Sequence, residues 1–202
     1  AEDGIRDVAV TGVQTCALPI LAGATIGVAP AVTLIPVRVL GRYDGVTCAG
    51  VGSSSAVIAG INWMIADHAS GVPAVANLSL GGDYSAAVNA AIADATADGI
   101  AVVVSAGNLQ QDACDASPAS ASSAITVGAT DRLDRRAAFS NWGACVDLFA
   151  PGVDITSIDA NAAAADEYTA LSGTSMAAPH VAGAAAVLLS FGYTEADRKS
   201  HV

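Results

Sequence analysis

The sequence predicts an α/β fold in which a mostly parallel sheet carries helices on both faces. Short apolar runs typical of buried strands alternate along the chain with segments whose apolar residues recur at helical spacing. The composition agrees with a compact protein, because 53% of the 202 residues are hydrophobic and 13% are charged, whereas disordered chains combine low hydrophobicity with high charge. At roughly 150 residues per domain, this length allows one large domain or two small ones.

The predicted elements follow one another in the order that βαβ units require. Strands are expected at residues 33–40, 74–80, 100–105, 125–129 and 146–149, and helices at 56–69, 85–97 and 175–191. Ser53–Ser55 offer N-cap hydroxyls for the first helix, Ser85 offers one for the second, and Gly99 ends the second. Ligands bind beyond the carboxyl ends of parallel strands, so we expect the site among residues 41–52, 79–84 and 105–111.

Charge and cysteine content exclude several classes of protein. The formal net charge is -11, which disfavours binding to nucleic acids and to anionic membranes, and no apolar run is long enough to span a membrane. Four cysteines occur without a C-x-x-C pair, which argues against a zinc or thioredoxin site. Their even number and the acidic balance favour a secreted protein with disulfides. The N-terminus lacks the pattern of a signal peptide, which suggests a mature chain or a piece of one.

The segment L-S-G-T-S-M-A-A-P-H-V-A-G at residues 171–183 carries the strongest chemical signal. Its Gly-Thr-Ser turn leads into an Ala-rich helix and sets Ser175 at the helix N-terminus, where free N–H groups favour a developing oxyanion. Pro179 is expected near the first turn, where a missing N–H has little effect. The alternative is that Ser175 only caps the helix.

This segment resembles the serine motif of the subtilisin-like proteases, with the proteinase K branch as the nearest match. Further motifs occur in the same order as in that family: V-R-V-L at 37–40, V-I-A-G-I-N-W at 57–63, A-N-L-S-L-G-G at 76–82, V-V-V-S-A-G-N at 102–108, S-P-A-S at 117–120, V-G-A-T-D at 127–131, F-S-N-W-G at 139–143 and V-D-L-F-A-P-G at 146–152. The resemblance covers residues 21–192 and implies a subtilisin-like three-layer catalytic domain that is incomplete and truncated at both ends.

The resemblance implies a role for each matching residue. Ser175 would be the nucleophile, and the Asn108 side chain would bind the oxyanion together with the Ser175 N–H. The pocket for the residue before the scissile bond would be lined by Ser79, Leu80, Gly81, Ala106 and Gly107. Gly50 and Gly52 would pair an extended substrate through backbone hydrogen bonds. From the residues alone, Asn108 is equally a turn residue, and the two glycines equally belong to a flexible loop.

The same resemblance implies two stabilising features. Asp147, with the carbonyl groups of Ser122 and Ala124, would bind a structural calcium ion, although a lone Asp on a strand is more often an edge or turn residue. Cys114 and Cys145 would form a disulfide. The implied protein is a secreted monomer that cleaves extended polypeptides and that an inhibitory pro-segment controls, with no cofactor in catalysis.

The resemblance fails over residues 1–20. Subtilases use Asp, His and Ser in that chain order, and Val13 stands about where the histidine is expected, within V-Q-T-C-A-L-P-I. The matching aspartate would lie further upstream than the chain extends. Residues 1–20 are therefore interpreted as foreign: a sequencing artefact, a frame-shifted segment or true divergence, with the artefact preferred. The disulfide partner of Cys48 is therefore also undetermined, because the candidate partner Cys16 lies within residues 1–20. Residues 193–202 are interpreted as a tail.

The function predicted from the sequence is a serine endopeptidase that acts by acyl transfer through Ser175, represented by a chain that is inactive without its base. The alternative is a non-catalytic relative that binds extended peptides in the same cleft. An α/β hydrolase fits less well, because its nucleophile elbow is G-x-S-x-G and Ala177 occupies the last position here.

Overall fold

A computed structural model of the chain describes residues 7–11, 17–43, 48–49, 51–158 and 168–193. Its core is a six-stranded sheet in which every neighbouring pair of strands is parallel. In chain order these strands are β1 (Asp7–Thr11), β2 (Leu34–Val37), β5 (Ala74–Leu78), β7 (Ile100–Ser105), β9 (Ile125–Thr130) and β10 (Leu148–Pro151). Their spatial order is β10-β9-β7-β5-β1-β2, so the predicted parallel α/β architecture is confirmed.

Four helices and three small antiparallel sheets complete the described structure. The helices are α1 (Ala17–Ala22), α2 (Ser54–Asp67), α3 (Ala86–Ala97) and α4 (Thr174–Ser190). The two-stranded sheets pair β3 (Arg42–Tyr43) with β4 (Cys48–Ala49), β6 (Gly82–Asp83) with β8 (Ala116–Ser117), and β11 (Ile155–Ile158) with β12 (Tyr168–Leu171). No helix within these ranges is both long and apolar enough to cross a bilayer.

The sheet is buried on both faces, because its strands alternate their side chains between two apolar clusters. In β7, Val103 packs with Val181 of α4 in one cluster, whereas Val102 and Val104 pack with Ile92 of α3 in the other. The first cluster is completed by α1 and the second by α2. This arrangement is the three-layer sandwich that continuous apolar strands predict.

The helix N-caps agree with the sequence analysis, and some element boundaries do not. Ser53 caps α2 and Ser85 caps α3, each accepting a backbone N–H on its hydroxyl. The strand expected at 33–40 is shorter, since only 34–37 pairs with β1. The strand expected at 146–149 begins two residues later, at Leu148.

The N-terminal segment supplies two elements of the sandwich. β1 lies between β2 and β5, and α1 buries Ile20 and Leu21 beside α4. That residues 1–20 are foreign and that residues 193–202 form a tail both stay predictions. Cys16 lies outside the described residues.

Candidate active site

The candidate site lies where strands β5 and β7 end, together with the start of α4. A cavity of about 320 Å³ opens there and is lined by Ser175, Asn108 and residues of the segments that follow both strands. This is the carboxyl edge of the parallel sheet, where the fold leaves loop backbone and side chains free to bind ligands. Ser175 is half-buried and Asn108 is exposed.

The first turn of α4 fixes the orientation of the Asn108 carboxamide. The backbone N–H of Thr174 donates to Asn108 Oδ1 at 2.8 Å, and the Thr174 hydroxyl donates to the same oxygen at 2.9 Å. The Thr174 hydroxyl also accepts the Gly107 N–H at 3.1 Å. Since Oδ1 is occupied by a helix N–H that has no partner within the helix, the amide nitrogen Nδ2 is turned away from Thr174.

Asn108 Nδ2 and the Ser175 backbone nitrogen converge beside Gly173. A Cβ atom built on Gly173 would lie 3.4 Å from Asn108 Nδ2 and 3.7 Å from Ser175 N, so both nitrogens lie beside the same small region. The N-terminus of the 17-residue helix α4 adds a positive electrostatic potential there. N–H donors and helix N-termini are the kinds of group that proteins use to bind oxyanions, so this region is the candidate oxyanion site.

Ser175 contacts the strand-end segment of β5 through both its hydroxyl and its carbonyl group. The hydroxyl donates to the Ser79 carbonyl at 3.3 Å, and the Ser79 hydroxyl donates to the Ser175 carbonyl at 2.8 Å. Pro179, expected near the first turn, lies inside α4 and past that turn. Proline has no N–H for the carbonyl four residues earlier, and Ser79 supplies that missing donor to Ser175.

Most residues predicted to bind substrate surround the cavity. Leu80, Gly81, Ala106 and Gly107 line it. Ser79 does not line it and instead makes the two hydrogen bonds to Ser175 described above. A Cβ on Gly81 would meet only the Ser117 carbonyl, at 3.9 Å, so this glycine leaves space that a ligand backbone can occupy.

A second cavity of about 400 Å³ adjoins the first. Gly52 lines it, and both cavities share Leu80 and Gly81, so the two lie side by side along one groove-like surface. A Cβ on Gly52 would approach the Val39 carbonyl to 2.6 Å, so the chain's own packing accounts for this glycine. Gly50 lies outside the described residues.

The sequence analysis missed Asn141, which holds the segment that carries Asn108. Asn141 is 1% exposed, and its Nδ2 donates to the Ala106 carbonyl at 2.8 Å. Its Oδ1 accepts the N–H groups of Leu109 and Gln111, at 3.0 and 3.2 Å. F-S-N-W-G was recognised as a motif, but nothing local in it indicates which segment the carboxamide binds.

The two described histidines do not reach Ser175. His68 caps the C-terminus of α2, and its ring bonds Asp98 and the Val72 carbonyl at 2.7 and 2.8 Å. These partners precede β7 and β5, so His68 lies at the opposite edge of the sheet, roughly 20 Å away for a six-residue strand. His180 binds the Met176 carbonyl through Nδ1 at 2.8 Å, and burial lowers its pKa below 6.5.

Comparison with known proteins identifies the family. The family model of the subtilases matches residues 10–200. The chain belongs to the subtilase family. It is 52% identical over 171 residues to an extracellular serine proteinase of Thermus sp. strain Rt41A, covering 85% of this chain and 39% of the relative. It is 51% identical over 172 residues to subtilisin-like protease 2 of Pseudogymnoascus destructans, covering 85% of this chain and 41% of that relative.

A solved structure supports the same assignment. The crystal structure of a cold adapted subtilisin-like serine proteinase superposes on this subtilase with a TM-score of 0.86 and 35% identity, covering 98% of this chain and 81% of that one. The chain spans about two fifths of the length of the two curated relatives.

The structure of this subtilase forms the predicted disulfide and places Asp147 against the first residues of β9. Cys114 and Cys145 are bonded, with 5.3 Å between their Cα atoms. Asp147 is attached to the start of β9, because its Oδ2 accepts the Thr126 N–H at 2.9 Å and its own N–H donates to the Thr126 carbonyl at 3.0 Å. Ser122 and Ala124 lie in the turn just before β9. One exposed carboxylate beside loop carbonyls fits the oxygen ligands that calcium prefers.

Proposed function

We propose that the protein containing this chain is a serine endopeptidase that cleaves extended polypeptides by acyl transfer through Ser175. The observation that carries the proposal is the convergence of Asn108 Nδ2 and the Ser175 N–H beside Gly173, next to the Ser175 hydroxyl. Attack of a serine oxygen on a peptide carbonyl moves negative charge onto the carbonyl oxygen. Two donors already in position stabilise that charge without having to reorganise.

In the proposed reaction the Ser175 oxygen bonds to the carbonyl carbon while a base removes the hydroxyl proton. The tetrahedral adduct collapses as the C–N bond breaks, and the departing amine takes that proton. Water then attacks the acyl group on Ser175 and releases the carboxylic acid. Asn108 and the start of α4 bind the oxyanion in both halves of the reaction, and Gly81 leaves room for the substrate backbone.

We further propose that the 202-residue chain by itself hydrolyses peptides slowly or not at all. The position where the resemblance expects the base holds Val13, and neither His68 nor His180 is bonded to Ser175. In subtilases, loss of the base alone lowers turnover by about 10⁶-fold. The oxyanion donors do not compensate, because they do not accept the hydroxyl proton.

Fluorophosphonate labelling of the purified chain tests this proposal, with Ser175→Ala as the control. We expect labelling of the chain to be barely faster than that of the Ser175→Ala variant. Labelling at Ser175 at the rate of an active serine protease would contradict the proposed loss of activity.

DNA sequencing across codons 1–25 of the source genome tests the protease assignment itself. We expect the genomic sequence to encode H-G-T-H before residue 21, and the protein expressed from it to cleave casein in a Ser175-dependent way. Asn108→Ala in that protein should lower kcat by about 10²–10³-fold, as expected for removal of one oxyanion donor. Cleavage that persists in the Ser175→Ala variant would disprove the mechanism.

Peptide binding without cleavage is the second candidate function. It is favoured by the groove-like surface along which two cavities of about 320 and 400 Å³ lie side by side, in a chain with no described histidine beside Ser175. If the genomic sequence retains V-Q-T-C-A-L-P-I and the chain binds peptides, this alternative replaces the protease.

We also propose that the protein is secreted, as a monomer with an inhibitory pro-segment, and that Asp147 binds a structural calcium ion with the carbonyls of Ser122 and Ala124. The Cys114–Cys145 disulfide supports an oxidising compartment, and the Thermus relative is named an extracellular proteinase. The exposed carboxylate of Asp147 beside the turn before β9 supports the calcium site.

A further inference from the structure

The cavity beside Ser175 carries two carboxylates on the wall formed by the β6–β8 pair. Asp83 pairs with Ala116 across these strands, and Asp115 precedes Ala116 directly. Both aspartates are exposed and line the cavity together with Ser175 and Asn108. Negative charge is therefore part of the same space that would receive a substrate side chain.

Neither carboxylate has a cationic partner among the described residues. The two ion pairs in that part of the chain join His68 to Asp98 and Arg135 to Asp131. No described Lys, Arg or His lines either of the two cavities. The negative potential at Asp83 and Asp115 is thus not neutralised locally, and the net charge of -11 adds to it.

The remaining walls of the cavity admit a long side chain. Small residues border it at Gly81, Gly107, Ala116 and Ala119, and its volume of about 320 Å³ lies in the range of small-ligand pockets. An apolar side chain that entered would meet two hydrated carboxylates and have to displace their water. An Arg or Lys side chain would lay its methylene groups on the small residues and carry its charge to the carboxylates.

We propose that this cavity selects a basic residue of the bound peptide, and that Asp115 and Asp83 are the residues that set this specificity. The proposal rests on the proposed function, since it assumes that a peptide occupies the Ser175 cleft. In a protease, the selected position would be an Arg or Lys next to the scissile bond.

The test compares two peptide amides that differ only in charge, acetyl-Ala-Ala-Pro-Arg-amide and its citrulline analogue. Citrulline has nearly the shape of arginine without its charge. NMR titration of the full chain gives each dissociation constant and follows the Asn108 side-chain amide signal as a marker of the cavity. We expect the arginine peptide to bind about 2- to 5-fold more tightly, because its guanidinium can form an exposed charge pair in the cavity that citrulline cannot form.

Matched variants assign the preference to residues. Asp115→Asn together with Asp83→Asn should bring the arginine-to-citrulline ratio close to one. Asp134→Asn, an exposed aspartate outside the cavity, should leave the ratio unchanged. A ratio that survives the double substitution overturns the assignment to these two carboxylates.

The outcomes separate this inference from the proposed function. If both peptides bind and shift the Asn108 signal equally, with a ratio below twofold, the inference is wrong and the peptide cleft stands. If neither peptide shifts that signal, both the cleft and its specificity are wrong. A ratio that falls as salt is added supports the electrostatic origin.

Discussion

Replacing Asn141 by alanine should loosen the segment that carries Asn108 and destabilise the whole protein. The substitution removes one donor and one acceptor that together serve three backbone groups of residues 106–111. Ala106 is fully buried, so water cannot replace Asn141 as the donor to its carbonyl. Leaving that carbonyl without a hydrogen bond should cost about 1–3 kcal/mol. Water can reach the N–H groups of Leu109 and Gln111, and each of those bonds is worth about 0.5–1.5 kcal/mol.

These contributions predict a loss of about 4 kcal/mol in the free energy of unfolding. For a chain of this length, 1 kcal/mol corresponds to about 2–4 °C in the melting temperature, so Tm should fall by about 8–16 °C. Thermal unfolding followed by circular dichroism measures the shift. Hydrogen exchange should show faster exchange at Leu109 and Gln111, while the centre of β7 stays protected.

Asn62→Ala is the matched control, because Asn62 is an exposed carboxamide on α2. It should change the free energy of unfolding by no more than about 0.5 kcal/mol. If Asn141→Ala lowers Tm no further than Asn62→Ala does, the three hydrogen bonds do not stabilise the segment and the reasoning fails.

Three further predictions concern single contacts. Ser79→Ala removes the hydroxyl that donates to the Ser175 carbonyl, and Pro179 offers that carbonyl no helix N–H. The substitution should therefore lower the free energy of unfolding, measured with urea, by about 1–3 kcal/mol. Burial lowers the pKa of His180 below 6.5, so the unfolded state binds more protons at mildly acidic pH. Stability should be full above pH 6.5 and fall below it, and His180→Gln should remove this pH dependence. EGTA should lower Tm, and Asp147→Ala should abolish that effect; an unchanged EGTA effect would place calcium elsewhere.

The elements that the sequence predicts well are those with a strong local pattern. Ile100–Ser105 forms a strand with the predicted bounds because a continuous apolar run follows Gly99. Ser53 and Ser85 mark helix starts because a hydroxyl before an apolar stripe satisfies free N–H groups. Strand pairing sets the boundaries that the sequence predicted less well. Asp147 binds Thr126 at the start of β9 through its side chain, and β10 begins only at Leu148, which lies opposite Val127.

Pro179 lies further into α4 than the sequence analysis expected. That analysis began the helix at Ser175, and in the structure Gly173 caps a helix that begins at Thr174. Pro179 therefore falls past the first turn, where the lost hydrogen bond needs a substitute. The Ser79 hydroxyl provides this hydrogen bond from a segment 96 residues away in the sequence. Patterns among neighbouring residues cannot predict a contact over that separation.

The sequence by itself determined the layered α/β fold and the serine at a helix start, because strand and helix periodicity depend on contiguous residues. The family followed from the resemblance of its ordered motifs to those of the subtilases. Only tertiary structure decided how the carboxamides of Asn108 and Asn141 are oriented, and that Asp83 and Asp115 share a cavity with Ser175. Those arrangements depend on hydrogen bonds and packing between segments 30 to 96 residues apart. The folding of the sheet brings such segments to one edge, and no stretch of neighbouring residues contains that information.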